Sequence, residues 1–320
     1  MPAFRHGIFH WVTWLCRLVI ESAFPRGFAY YSDAMTVPAF LSRFLLLLNA
    51  LSLDAPLAAI AWQDLAARLF AVQLRWSERL LLLLGTWLVY SGDRLLDTLM
   101  ADQRHVAIGR HQFVRQRRRT LGIVWLIVAV MAGLLVEQTV SSSDLRAGIV
   151  LVMTLVAYFL VCLRWPRFRF YLPRELVVSV YFLAAIVFFP AIHATGSWFG
   201  IIATPFCGVC LLLAFLNCLG ISCWEVEEDR QAGEWTIATR HPGIVGSYRY
   251  LALFAAGVLG GMLIGGPLPA ELEFGTMLAA LLLAMLDVLP ISNDLKPVLA
   301  DLILIVPWLI VLTTAATGVA

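Results

Sequence analysis

The sequence predicts an all-α, polytopic membrane bundle of about nine transmembrane helices, and three observations carry that prediction. Hydrophobic residues make up 61% of the 320 residues and charged ones only 14%, against roughly 45–50% and about 25% in soluble domains. The apolar residues gather into stretches near the length of about 20 that a helix needs to cross the hydrocarbon core, where each backbone polar group must be satisfied inside the segment. Finally, the arginines are concentrated in alternate loops, as the inner face of a membrane protein requires.

The spans are expected at 40–62, 80–99, 120–139, 146–164, 173–194, 200–224, 248–266, 272–289 and 298–317. Their connections are short, so residues 38–320 form one transmembrane domain, preceded by a cytoplasmic or interfacial segment over 1–37. The stretch 8–20 is apolar but carries Arg17 and is followed by Glu21 and Pro25. A helix lying on the membrane surface suits it better than a tenth span or a cleaved signal peptide. Asn49 and Asp54 in the first span, Asn217 in the sixth and Asp301 in the ninth are costly in lipid, and are expected to face the interior. All six cysteines, Cys16, Cys162, Cys207, Cys210, Cys218 and Cys223, lie in or beside apolar segments and lack metal-ligand spacing with histidine. They read as small buried hydrophobes. A net charge of +2 gives no case for nucleic acid as a partner. No nucleophilic serine motif, phosphate-binding loop, or haem or zinc spacing is present.

The charge asymmetry sets an orientation. Arg104, Arg110, Arg115, Arg117, Arg118 and Arg119 follow the second span; Arg164, Arg167, Arg169 and Arg174 follow the fourth. Arg230, Arg240 and Arg249 follow the sixth, and Lys296 the eighth. On the opposite face lie Arg75, Arg79 and Arg146, with no arginine in 194–200 or 266–272. The arginine-rich face, with the N-terminus, is therefore expected on the cytoplasmic side of the cell inner membrane, and the C-terminus outside. Anionic lipid headgroups alone would also hold arginine there.

The acidic residues on that same face add a second pattern. Asp93 and Asp97 close the second span four residues apart, and Glu225 and Asp229 close the sixth at the same spacing, with Glu227 and Glu228 between them. At about 100° per residue, positions i and i+4 share a helix face. Like charges so placed destabilise a helix, and carboxylates near its C-terminus oppose the macrodipole. Something positive should compensate them: either divalent cations, since Mg2+ is held by one or two carboxylates with phosphate oxygens and water, or salt bridges to Arg94 and Arg230.

The run Glu225-Val226-Glu227-Glu228-Asp229-Arg230-Gln231-Ala232-Gly233-Glu234-Trp235-Thr236-Ile237-Ala238 resembles the second signature of the UbiA-type intramembrane prenyltransferase superfamily, approximately D-x-E-G-D-R, two residues, G, two residues, T-L-A. Glu225 stands at the first Asp of that pattern, and Glu227, Asp229, Arg230, Gly233, Thr236 and Ala238 match it. Asp93, Arg94 and Asp97 resemble the latter part of the first signature, N-D-x-x-D-x-x-x-D, whose opening Asn and Asp fall here on Val89 and Tyr90. The signatures cover about a tenth of the chain. The resemblance implies an enzyme that binds an isoprenyl diphosphate through Mg2+ at the cytoplasmic mouth of the bundle, ionises it, and passes the allylic cation to a lipophilic acceptor, aromatic ones included.

On that implication Asp93, Asp97, Glu225 and Asp229 are the metal set, and Arg94, Arg104, Arg110, Arg164 and Arg230 the diphosphate contacts. Asn49, Tyr90, Asn217 and Glu228 are candidates for the substrate pocket, with interhelical hydrogen bonding the alternative for the two asparagines. Tyr158, Tyr181, Phe182, Phe188 and Phe189 offer π-faces to a cation or simply pack. His105 and His111 lie in the basic loop as a diphosphate lid or as headgroup contacts. A general base is not identifiable. Two other readings stay open: a lipid or ion transporter that kept the frame after losing catalysis, and a cyclase of the prenyl cation.

Overall fold

A computed structural model of the chain describes residues 39–100, 110–165, 168–169, 171–194 and 198–317; the side chains of 39, 97–100, 110–116, 143, 163, 198 and 199 lie outside that description. Regular structure among the described residues is helical, without a strand. The helices are α1 (Ala39–Ala50), α2 (Asp54–Leu69), α3 (Trp76–Met100), α4 (Arg110–Thr139), α5 (Ser142–Arg164), α6 (Arg174–His193), α7 (Trp198–Ile202), α8 (Pro205–Trp224), α9 (Val226–Ala232), α10 (Ile237–Arg240), α11 (Gly243–Met262), α12 (Ala270–Val288), α13 (Lys296–Ile303) and α14 (Val306–Thr317). The protein is an all-α membrane protein.

Among the described residues, six helical stretches are long and apolar enough to cross a membrane: Arg117–Thr139, Asp144–Cys162, Arg174–His193, Pro205–Trp224, Gly243–Met262 and Lys296–Thr317. The expected second and eighth spans are helices too, α3 and α12, but α3 carries Glu78, Arg79, Asp93 and Arg94, and α12 carries Glu271, Glu273 and Asp287.

The first expected span, 40–62, is not one helix. Its residues divide between α1 and α2, which meet at 80° and together make a seventh apolar unit. The cause is local: Ser52 is left-handed at φ 56, so Ser52 N–H donates to the Asn49 carbonyl and Leu53 N–H reaches back to that of Leu48. That pairing ends a helix. Asp54 then starts α2, accepting from the Asn49 amide at 2.8 Å and from Ala55 N–H at 3.1 Å.

Burial sorts the helices into centre and rim. Thirteen of the 20 residues of α8 are buried, and none in Arg117–Thr139 is, so α8 is the axis and α4 faces lipid with Ile123, Leu126 and Val130. Around α8 pack α6, α11, α12 and α13. The core runs through Trp62, Ile186, Phe206, Leu213, Leu259 and Leu283, with Trp62 Nε1 donating to the Leu304 carbonyl at 2.9 Å. Helices α11 and α12 pack against each other, and small residues are buried on both: Ala252, Ala255 and Ala256 on one, Ala279 and Ala280 on the other. Close backbone approach replaces the missing hydrophobic drive between helices in lipid.

Polar residues mark the two ends of the bundle. At one, Asp64 accepts from Arg68, Arg79 and Trp308, and Glu78 pairs with His193 at 2.8 Å. At the other lie Asp93, Arg174, Glu175 and the segment 225–240.

Candidate functional site

Asp93 projects from α3 onto Arg174, the first residue of α6, whose Nη2 donates to Oδ2 at 2.5 Å. The next residue of α3, Arg94, turns instead toward the bend between α1 and α2 and donates to the Asn49 carbonyl. Asp97 follows one turn later in α3; its side chain lies outside the described residues.

The second carboxylate pair does not sit on α8. That helix ends at Trp224, and Glu225 is the junction to the separate seven-residue α9. Glu227, Glu228 and Asp229 consequently occupy the first turn of a new helix, where the macrodipole favours negative charge. The expectation that these carboxylates oppose a helix C-terminus is corrected on that point. Glu227 and Glu228 are exposed, whereas Glu225 and Asp229 are half-buried. Arg230 pairs with Glu227 at 2.9 Å on the surface.

The residues that carry the sequence resemblance have local structural work. Gly233 ends α9 at φ 71, a conformation that costs glycine little. Thr236 caps α10 in a reciprocal box with Thr239, and Ala238 beneath it is fully buried. Arg169 makes an ion pair with Glu234 between them.

Glu175, which sequence reasoning passed over, holds this segment in place. It is 3% exposed. Its Oε1 accepts from the Ser222 hydroxyl at 2.7 Å and from Ile237 N–H at 2.8 Å, and its Oε2 is buried with no hydrogen-bond partner. Arg174 and Glu175 thus bind in opposite directions, one to α3 and the other to the end of α8 and the start of α10. In the sequence Glu175 follows an arginine at a loop margin and carries no local pattern that sets it apart from an ordinary interfacial acid.

Deeper in the bundle is a second polar layer. Asn217 donates to Asp301 at 2.6 Å while its own Oδ1 is buried without a partner, and Asn49, Asp54, Asn217 and Asp301 are all buried. Tyr90 lies within electrostatic reach of Asp301, Cys218, Asp54 and Arg94. These interior positions agree with the cost of such groups in lipid, and both asparagines spend their amides on neighbouring aspartates.

Comparison with known protein families, curated proteins and solved structures gives no match. The remaining sequence-predicted residues lie apart from this arrangement or outside the described residues. Arg164 is the exposed last residue of α5. Arg110 begins α4 and His111 follows it, their side chains outside the description, as are Arg104 and His105 altogether. Tyr158 packs against Phe159 and Phe168, and Phe188 stacks edge-on with Phe189 at 5.2 Å. Tyr181 and Phe182 pack against hydrophobic clusters. Among the described residues no three His, Cys, Asp or Glu side chains are grouped to hold a metal ion. A site completed by diphosphate oxygens asks for less, one or two carboxylates from the protein for each ion. Asp93 already faces a cation, and its hard oxygens are the type that Mg2+ takes.

Proposed function

We propose that the chain is a membrane-embedded, Mg2+-dependent prenyltransferase of the UbiA type, moving an isoprenyl group from its diphosphate to a lipophilic acceptor. The observation that carries this reading is that the signature-like segment 225–240 is anchored by Glu175, the immediate neighbour of the arginine that holds Asp93. Both carboxylate motifs are therefore tied to one turn of α6. When bound, Mg2+ would neutralise the charge that develops on the departing diphosphate. Asp93, Asp97, Glu225 and Asp229 would hold it, with Arg174 and Arg230 as additional positive charge for the phosphate oxygens. The apolar chain would lie among the helices, with the N-terminus on the cytoplasmic side of the inner membrane and the C-terminus outside.

A second reading, a lipid or ion transporter, draws on buried Asp54 and Asp301, because ionisable groups within a membrane bundle commonly line a pathway. The two are separated by incubating the purified protein with Mg2+, lipid extract and prenyl diphosphates of several chain lengths, then analysing the lipids by mass spectrometry. A prenylated or cyclised product that disappears with EDTA supports the enzyme. Unchanged diphosphate at every chain length, with lipid or ion flux in reconstituted vesicles, would replace that reading by the transporter.

A further inference from the structure

Arg174 is not part of either signature, and as the first residue of α6 it faces an unfavourable helix macrodipole. Its placement is explained by Asp93. The arginine side chain is 33% exposed and that of Asp93 only 17%, so the carboxylate is sheltered while the guanidinium can turn toward the aqueous end of the bundle. A divalent ion approaching Asp93 meets a position already taken by positive charge. Two cations cannot share that oxygen closely, since each would raise the electrostatic energy of the other.

We propose that Arg174 is the resident counter-cation of Asp93, displaced when metal and diphosphate arrive together, and that the freed guanidinium then turns onto the diphosphate. The proposal rests on the metal–diphosphate reading above. Metal alone gains Asp93 and must strip it of Arg174; metal with diphosphate supplies the arginine with a new, doubly accepting partner, a geometry for which guanidinium is suited. Diphosphate and divalent metal therefore bind cooperatively, and the site resists metal when no substrate is present. Glu175 keeps the backbone of that turn fixed to Ser222 and Ile237, so that the exchange moves a side chain and not the helix.

The test uses the full chain in detergent, Mn2+ as the probe and inorganic pyrophosphate as the anion, with free Mn2+ read by its paramagnetic resonance signal. Wild type is expected to bind Mn2+ weakly alone and more tightly with pyrophosphate. Arg174→Gln should bind Mn2+ alone at least about tenfold more tightly, the equivalent of one charge-assisted hydrogen bond no longer in competition, and pyrophosphate should then add little. Arg174→Lys, which keeps the charge and should keep the fold, is expected to fall between the two. Equal Mn2+ affinity in wild type, Arg174→Gln and Arg174→Lys, with unchanged enhancement by pyrophosphate, would overturn the proposal while leaving the metal site standing. Mn2+ binding by none of them, with or without pyrophosphate, would remove the metal reading and this proposal together.

Discussion

Removing the Glu175 carboxylate should loosen the 225–240 segment without dissolving the bundle, and the structure allows the size of the effect to be worked out. Glu175→Ala strands two donors, the Ser222 hydroxyl and Ile237 N–H. Hydrogen bonds to a charged group are worth about 1.5–3 kcal/mol each, so the loss is about 3–6 kcal/mol. Against this, the substitution removes a buried oxygen, Oε2, that has no partner, a relief of about 1–3 kcal/mol. Taken at their midpoints, the two terms leave a net destabilisation of about 2.5 kcal/mol. Glu175→Gln keeps an acceptor for both donors and should cost about 1 kcal/mol or less, because weaker neutral bonds replace charged ones. Unfolding in SDS titrations followed by tryptophan fluorescence gives the ordering, wild type above Gln above Ala. Trypsin cleavage at Arg230 and Arg240 gives the location, since the freed segment should be cut faster in Glu175→Ala than in wild type. An alanine variant within about 0.5 kcal/mol of wild type, cut at the same rate, would refute the reasoning.

Gly220→Ala should cost about 1–3 kcal/mol by overpacking, because the new Cβ would stand 2.5 Å from Tyr248 Oη and 2.6 Å from Cζ of a fully buried ring; combining it with Tyr248→Phe should recover only part, and the same unfolding assay checks both. Asp97→Asn or Asp229→Asn should abolish prenyl transfer in the product assay, since an amide carries no charge to neutralise the ion, and Glu225→Asp should be milder; full activity in both Asn variants would leave the mechanism without its ligands. For topology, single cysteines at Arg110 and Ser141 should label from opposite sides of the membrane with an impermeant maleimide, and labelling from one side would reverse the orientation argument.

The helices were legible because a run of about 20 apolar residues has one main use, and each expected span lands on a helix or a pair of helices. The breaks were not. Residues 51–53 are Leu-Ser-Leu, with neither glycine nor proline to announce a bend, and the left-handed Ser52 is stabilised by backbone hydrogen bonds that composition does not record. The same holds at Glu225, where α8 stops at the start of an acidic run. Hydrophobicity gives the depth of a residue in the membrane, and periodicity gives its face. Neither reports where a helix turns aside at the water boundary, because both neighbours of the break are compatible with a continuing helix.

The site was legible as a list of residues and not as a set of contacts. Asp93 meets Arg174 across 81 residues, and Glu175 meets Ser222 and Ile237 across 47 and 62. Such partners come from the packing of α3 and α8 onto α6, which no local pattern encodes. Packing also makes the two carboxylate pairs unequal, although their spacing in the sequence is the same. Asp93 lies within α3, away from any helix N-terminus, and its charge is met by Arg174. Asp229 lies in the first turn of α9, where the helix field itself compensates part of its charge. An incoming cation therefore gains at Asp93 only as Arg174 is turned away from it, which a ligand that also brings an anion for the guanidinium allows.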